Sequence, residues 1–222
     1  MHPLRLIMLV LGCMLAVALP GLSGGFSFSE EDAKSKADNA AEADANAQKV
    51  QDLVSAPCRN RLKNQKIMTL IAERTSNGWQ TAQDRYGPHF QAINNRLRAL
   101  GLKTYTQEEI RAQVAQAQID AYFKNDPDAA LAASRRLGAN YVLRGNITTQ
   151  TGINPTLNIN EVSVNLGFTL STSSGKILSD VSAQSSSYSG TDTLGMALTL
   201  VNEKADLLVA QLYNDYCQKA GT

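Results

Sequence analysis

The chain has 222 residues, of which 21 are basic and 20 acidic, so its formal net charge is +1. Domains that bind nucleic acid usually carry a basic stripe, and anionic membranes attract polybasic patches; this sequence has neither feature. We therefore expect no nucleic-acid partner. The length fits one domain, or two at most, once the amino-terminal segments are set aside.

Residues 1–25 have the pattern of a bacterial export signal. Arg5 supplies the positive charge, residues 6–19 form an apolar run that is short for a membrane span, and a Pro-Gly pair ends the run. Small residues at the −3 and −1 positions predict cleavage after Ser23, which makes residues 1–23 a signal peptide. Cleavage after Ala18 or Gly25, and retention as an uncleaved anchor, remain open.

A lipoprotein is the alternative product of this segment. Residues 10–13 (Val-Leu-Gly-Cys) resemble a lipoprotein processing box, which would leave a lipidated Cys13 as the first residue. The apolar run continues for six residues beyond Cys13, so the cysteine lies inside the run and ordinary cleavage is favoured. We expect an exported, periplasmic protein, with outer-membrane association only if Cys13 is lipidated.

Two cysteines remain after the signal, Cys58 and Cys217, and they bracket the predicted domain. An even pair in an oxidising compartment predicts a disulfide. Two independent thiols are the alternative. Neither cysteine has a second cysteine or a histidine at ligand spacing, so no metal site is expected.

Residues 24–57 are rich in Ala, Asp, Lys and Asn and have almost no large apolar residue before Val50. Alanine favours helix, but such a segment has no face to bury. The segment predicts a solvated helix or a disordered tether, and residues 58–222 form the domain.

The first half of the domain alternates strands and helices. Residues 66–73 predict a buried strand, 75–88 a polar loop and 102–105 a second strand. Between the loop and the second strand, a stripe at helical spacing predicts a helix that Gly101 ends. The stripe consists of Phe90, Ile93, Leu97 and Leu100.

Two further helices have clear start signals. Thr106 and Glu109 form a capping box that opens a helix running to Phe123. Asp126, as the cap, precedes Pro127 in the first turn of the next helix, which Gly138 ends.

The second half predicts three strands and a long helix. The strands are residues 139–149, 156–172 and 176–188, and the helix is about 192–216. Strict alternation of apolar and polar residues from Glu161 to Leu170 indicates an antiparallel strand with one wet face. The order β-α-β-α-α-β-β-β-α predicts an α+β domain with a single mixed, mostly antiparallel sheet and helices packed on one face.

The run from Asp126 through Gly138-Ala-Asn-Tyr-Val-Leu-Arg-Gly145, together with this element order, resembles a superfamily of bacterial envelope proteins. Its members include CsgG, LpoB, the amino-terminal domain of TolB and the middle domain of FlgT. The resemblance covers residues 62–216 and implies a domain that docks to envelope machinery for assembly, secretion or cell-wall synthesis. It implies no catalytic residues, and fold alone does not fix function.

The residues themselves give no catalytic constellation. His89 is the single histidine of the mature chain and is expected at a helix end. Two pairs of carboxylates fall at helix starts, where negative charge caps the helix: Glu108 with Glu109, and Asp126 with Asp128. We expect no cofactor and no turnover. A hydrolase or small-ligand binder with an unrecognised cleft is the alternative function.

The expected partner is an envelope protein, or a second copy of the chain. Trp79 and Tyr86 lie on the polar loop 75–88, and aromatic residues on such loops are enriched at binding hot spots. They form a possible partner surface. The alternative is that Trp79 packs onto the core.

Overall fold

The computed structural model describes residues 28–75, 77–124, 126–188 and 193–219. The predicted cleavage after Ser23 and the lipidation alternative at Cys13 lie outside these residues. The chain divides into two units, residues 1–41 and 42–222. In the first unit the structure describes the beginning of helix α1 (Phe28–Val54), where the side chains of residues 32–41 are exposed.

The second unit contains the sheet and the remaining helices. The helices are α2 (Arg59–Leu62), α3 (Gly87–Ala99), α4 (Gln107–Gln113), α5 (Gln116–Phe123), α6 (Pro127–Leu137) and α7 (Thr193–Lys219). The strands are β1 (Lys66–Thr75), β2 (Gly78–Gln80), β3 (Lys103–Thr104), β4 (Tyr141–Ile153), β5 (Asn160–Thr172) and β6 (Ile177–Tyr188). One turn of 3-10 helix, Gln83–Tyr86, precedes α3.

The strands form one mixed sheet in the order β2-β1-β4-β5-β6, and β3 pairs in parallel with the start of β1. β1 and β4 are parallel, whereas β4, β5 and β6 form an antiparallel meander. The predicted class, an α+β domain around a mixed, mostly antiparallel sheet, is confirmed.

Helices α3 and α7 cover one face of this sheet. On that face Thr69 of β1 donates a hydrogen bond to Asn94 of α3 (2.9 Å), and Ser179 of β6 donates to Asp215 of α7 (2.6 Å). Two guanidinium nitrogen atoms of Arg96 in α3 donate hydrogen bonds to the Asp206 carboxylate in α7, at 2.6 and 2.9 Å. The prediction that helices pack on one face of the sheet agrees with the positions of α3 and α7.

Helix α5 lies on the opposite face, at the end of the sheet formed by β1 and β4. Side chains alternate along a strand, so Arg144 of β4 points away from Leu143 and Gly145. Its guanidinium lies over the rings of Tyr122 and Phe123 in α5, 5.2 and 5.3 Å from their centroids. The β5–β6 part of this face, including Asn165 and Gln184, is exposed.

The capping box before α4 is confirmed: Glu109 N donates to the Thr106 hydroxyl (3.1 Å), and Thr106 N donates to the Glu109 carboxylate (2.7 Å). Two boundary predictions and one predicted cap contact need correction. The helix predicted to run to Phe123 breaks at Val114 and Ala115, which are extended. Asp126 lies at the cap position but makes no side-chain cap hydrogen bond, so Pro127 alone marks the start of α6.

The third correction concerns the hairpin between β4 and β5. Residues 150–153 continue β4, and residues 156–159, predicted as the start of the next strand, belong to the connecting loop. The cause is local: Asn154 accepts hydrogen bonds through its side chain from Thr156 N and Leu157 N, each 3.0 Å long, and this Asx-type turn competes with strand formation.

Candidate functional site

Cys58 and Cys217 form a disulfide that joins the segment before α2 to the last turns of α7, with their Cα atoms 5.5 Å apart. The Tyr213 hydroxyl reinforces this junction by donating to the Ala56 carbonyl over 2.6 Å. Cys58 is buried, with 5% of its surface exposed. The bridge therefore belongs to the packed core and closes the domain at its two ends.

The outer edge of β1 has three different partners along the strand. β3 pairs with its first residues and β2 with its last. Between them the buried Gln83 side chain bonds Ile71 as a strand would, accepting from Ile71 N (3.0 Å) and donating to Ile71 O (2.8 Å). Gln83 thus satisfies backbone groups in the gap between two short strands.

The opposite edge of the sheet is open. β6 is the last strand in the order, and within the described residues it pairs only with β5. Proteins usually protect such an edge with charges, proline or bulges. From Val181 to Tyr188 this strand has no charged residue, no proline and no glycine, and the bulge in its pairing lies at the other end, at Leu170 and Ser171.

Trp79 lies in β2, inside the segment predicted to be a loop, and is half-buried against the core. Its ring centroid is 5.8 Å from that of Phe123, and the Arg74 guanidinium lies 5.9 Å from it on the exposed side. This position corresponds to the alternative of a packed tryptophan. The Tyr86 side chain lies outside the described side chains, so the partner surface at Trp79 and Tyr86 remains a prediction.

We expect Trp79→Ala to lower the free energy of unfolding by about 2 kcal/mol, because it removes the contact with Phe123 and the cation–π contact with Arg74. Urea unfolding measures this change. Trp79→Phe keeps an aromatic ring on Phe123 and is the matched control, expected to lose less than half as much. An unchanged urea midpoint for Trp79→Ala would show that the ring contributes nothing to the fold.

The titratable side chains singled out in the sequence do not converge. Glu108 and Glu109 are exposed in the first turn of α4, and Asp128 is exposed in the first turn of α6. His89 is half-buried near the start of α3, where desolvation lowers its pKa and nearby Glu73 partly offsets the effect. Over the described ranges, no three His, Cys, Asp or Glu side chains gather closely enough to hold a metal ion.

A small apolar cavity lies between the sheet, α3 and α7, lined in part by Leu97, Leu143, Leu212 and Tyr213. Tyr141 and Tyr216 border it, and their hydroxyls are hydrogen-bonded to each other at 3.0 Å. Burial, together with this bond, raises the pKa of Tyr141. The two hydroxyls are therefore partners of each other at the border of the cavity.

The sequence did not reveal an apolar tip at the end of the β4–β5 hairpin. We define the apolar tip as Ile153, Leu157, Ile159 and Tyr188, whose exposed fractions are 67%, 55%, 42% and 52%. Tyr188 ends β6 and pairs with Glu161 at the start of β5, which places it beside the hairpin loop. Ile177, at the other end of β6, is the one further large apolar side chain exposed among the described residues.

No helix in the described ranges has both the length and the apolar character needed to cross a bilayer.

These features define a disulfide-closed α+β domain in which short elements line the outer edge of β1 and β6 forms the other edge of the sheet. No protein-family model matches the chain, and a comparison with curated proteins gives no match. Three solved structures are similar to this chain at low sequence identity.

The PelC dodecamer from Paraburkholderia phytofirmans is 19% identical, over 69% of this chain and 91% of that one, with a TM-score of 0.40. Lipoprotein GNA1162 from Neisseria meningitidis is 18% identical, over 62% and 94%, with a TM-score of 0.39. The LpoB carboxy-terminal domain from Salmonella enterica is 16% identical, over 61% and 94%, with a TM-score of 0.39. These values describe a distant likeness.

Proposed function

We propose that the protein is an exported, non-catalytic accessory of the bacterial envelope that docks to a second protein chain, an envelope component or another copy of itself. Residues 1–23 act as its signal and residues 24–57 as a tether. The disulfide supports the location, because such bonds persist in oxidising compartments. The sequence resemblance of residues 62–216 to envelope docking domains agrees with this function.

The observation that carries the docking proposal is the contrast between the two sheet edges. The outer edge of β1 has β3, Gln83 and β2 as partners, whereas β6 pairs only with β5 among the described residues and has no charge or proline in its second half. An exposed strand edge of this kind accepts an extended segment of another chain through backbone hydrogen bonds. The partner therefore adds a strand to β6.

Photo-crosslinking in cells tests this proposal. A photoreactive residue at Gln184, which is exposed on β6, should form an adduct with a second chain in the envelope fraction. The matched position is Asn165, which is also exposed and lies directly opposite on β5, a strand that is paired on both sides. Adducts of equal yield at both positions would place the partner on the sheet face and overturn strand addition.

A charge on the edge should weaken the same adduct. Ser186→Lys adds a charge to β6 and should reduce the Gln184 adduct at least ten-fold, since charged residues discourage edge pairing. Ser163→Lys places the same charge on β5 opposite Ser186 and should leave the adduct unchanged. If no adduct forms at any of these positions, the docking function itself is wrong.

A further inference from the structure

We propose that the apolar tip inserts into the interfacial layer of a lipid membrane, so that the domain contacts a bilayer through the β4–β5 hairpin whether or not Cys13 is lipidated. The inference rests on the proposed export, because it requires the mature domain to meet an envelope membrane. It concerns a surface distinct from the β6 edge, and its ligand is the lipid surface itself.

The first observation is the concentration of exposed apolar side chains. Ile153, Leu157 and Ile159 lie on one hairpin end, with Tyr188 beside them. The Asn154 side-chain amide donates to the Tyr188 hydroxyl over 3.5 Å, which holds the tyrosine at the edge of the cluster. An apolar body with a polar hydroxyl suits the boundary between acyl chains and headgroups.

The second observation is the lack of charge in the two chain segments that form the tip. Between Arg144 and Glu161 the chain has no charged residue, and there is none from Val181 to Tyr188. A charged side chain would make entry into an apolar layer costly. Glu161 lies at the base of the hairpin and is half-buried. Insertion as deep as Glu161 would begin to desolvate its carboxylate.

The third observation is that the loop bonds most of its own N–H groups. Asn154 N donates to Ile159 O (2.9 Å), and Asn158 N donates to Asn154 O (2.8 Å). The Asn154 side chain accepts from Thr156 N and Leu157 N, while Pro155 has no N–H to satisfy. A segment that enters an apolar medium loses water as a partner for its backbone groups, and four of the five N–H groups in residues 154–159 already bond within the loop.

These observations favour a lipid surface over a protein groove. A protein partner could accept the apolar side chains equally well, but it would not require the loop to be both uncharged and closed on itself. The tip is small, and stable membrane attachment usually takes two signals. It therefore acts as one contact that orients the domain, alongside the docked partner.

Flotation of the processed chain with lipid vesicles tests the proposal. Vesicles of phosphatidylethanolamine and phosphatidylglycerol should bind the protein, and raising the salt concentration should leave binding nearly unchanged, because the tip has no charge. The triple variant Ile153→Ser, Leu157→Ser, Ile159→Ser should bind at least ten-fold more weakly. Ile177→Ser, which removes a side chain of similar exposure at the other end of β6, is the matched control and should bind as the wild type does.

A fluorescent reporter separates insertion from mere adsorption. Leu157→Trp should show a blue-shifted emission when vesicles are added, whereas Ile177→Trp should not. The proposal is overturned if the wild type does not float with vesicles, if the triple variant floats as well as the wild type, or if the position-157 emission does not shift.

The same tip can be compared with the β6 edge in cells. A photoreactive residue at position 157 that forms an adduct with a protein, in the absence of vesicle binding, would make the tip a protein-docking site and overturn the lipid assignment. An adduct at Gln184 in that same experiment would leave the proposed docking function standing. The two proposals therefore fail separately.

Discussion

Replacing both bridge cysteines, Cys58→Ala together with Cys217→Ala, should lower the free energy of unfolding by about 5 kcal/mol. The bridge joins residues 159 positions apart, and in the chain-entropy model so long a closed loop strongly restricts the unfolded chain. Marginal stability is the rule for domains, so this loss is a large part of the total. Urea unfolding of the oxidised protein and of the double variant measures the difference.

Two controls isolate the covalent contribution. Reductant should destabilise the wild type and leave the double variant unchanged. Tyr213→Phe removes only the hydrogen bond from its hydroxyl to Ala56 and should cost about 1 kcal/mol. If reduction of the wild type leaves the urea midpoint where it was, the bridge does not stabilise the fold.

The second large effect is expected at Gly145, where Gly145→Val should destabilise the domain by about 3 kcal/mol. A Cβ atom there would lie 2.7 Å from Cε1 of Phe168 and 3.3 Å from Cγ1 of Ile71. Both neighbours are its direct partners on the flanking strands and both are fully buried, so neither can move freely. Thermal or urea unfolding measures the loss.

Gly152→Val is the matched control for this change. Gly152 lies on the same strand, and a Cβ atom there would meet nothing within 4 Å. We expect its effect to stay within about 0.5 kcal/mol. Adding Phe168→Leu to the Gly145→Val variant should recover part of the loss; if the double variant is simply the sum of the two single losses, the steric explanation is wrong.

Local signals in the sequence predicted much of the fold. The hydrogen bonds of the capping box join Thr106 and Glu109, which are three residues apart in the sequence. The capping box can therefore be predicted without tertiary information. Gly101 and Gly138 follow their helices at positive φ, 100° and 70°, a conformation that favours glycine. The alternation along β5 likewise reflects the period of the strand itself.

Features that depend on distant partners were not predictable. Gln83 has the appearance of an ordinary loop residue, and its role emerges only because β2 and β3 leave a gap opposite Ile71. The sequence predicts a strand at Leu157 and Ile159, because large apolar side chains are usually buried. Their exposure follows from the turn that Asn154 makes. The sequence predicts a loop at Trp79, because the three residues of β2 are too few to show the two-residue period of a strand.

The connectivity of the sheet also sets an order in which the chain can fold. β4, β5 and β6 follow one another through short connections, so their meander closes small loops and costs little entropy. β1 reaches β4 only after α3 to α6 have been bridged, which is a far longer closure. Non-local pairing of this kind slows folding. We therefore expect the meander to form first, and both the open β6 edge and the apolar tip belong to that part of the molecule.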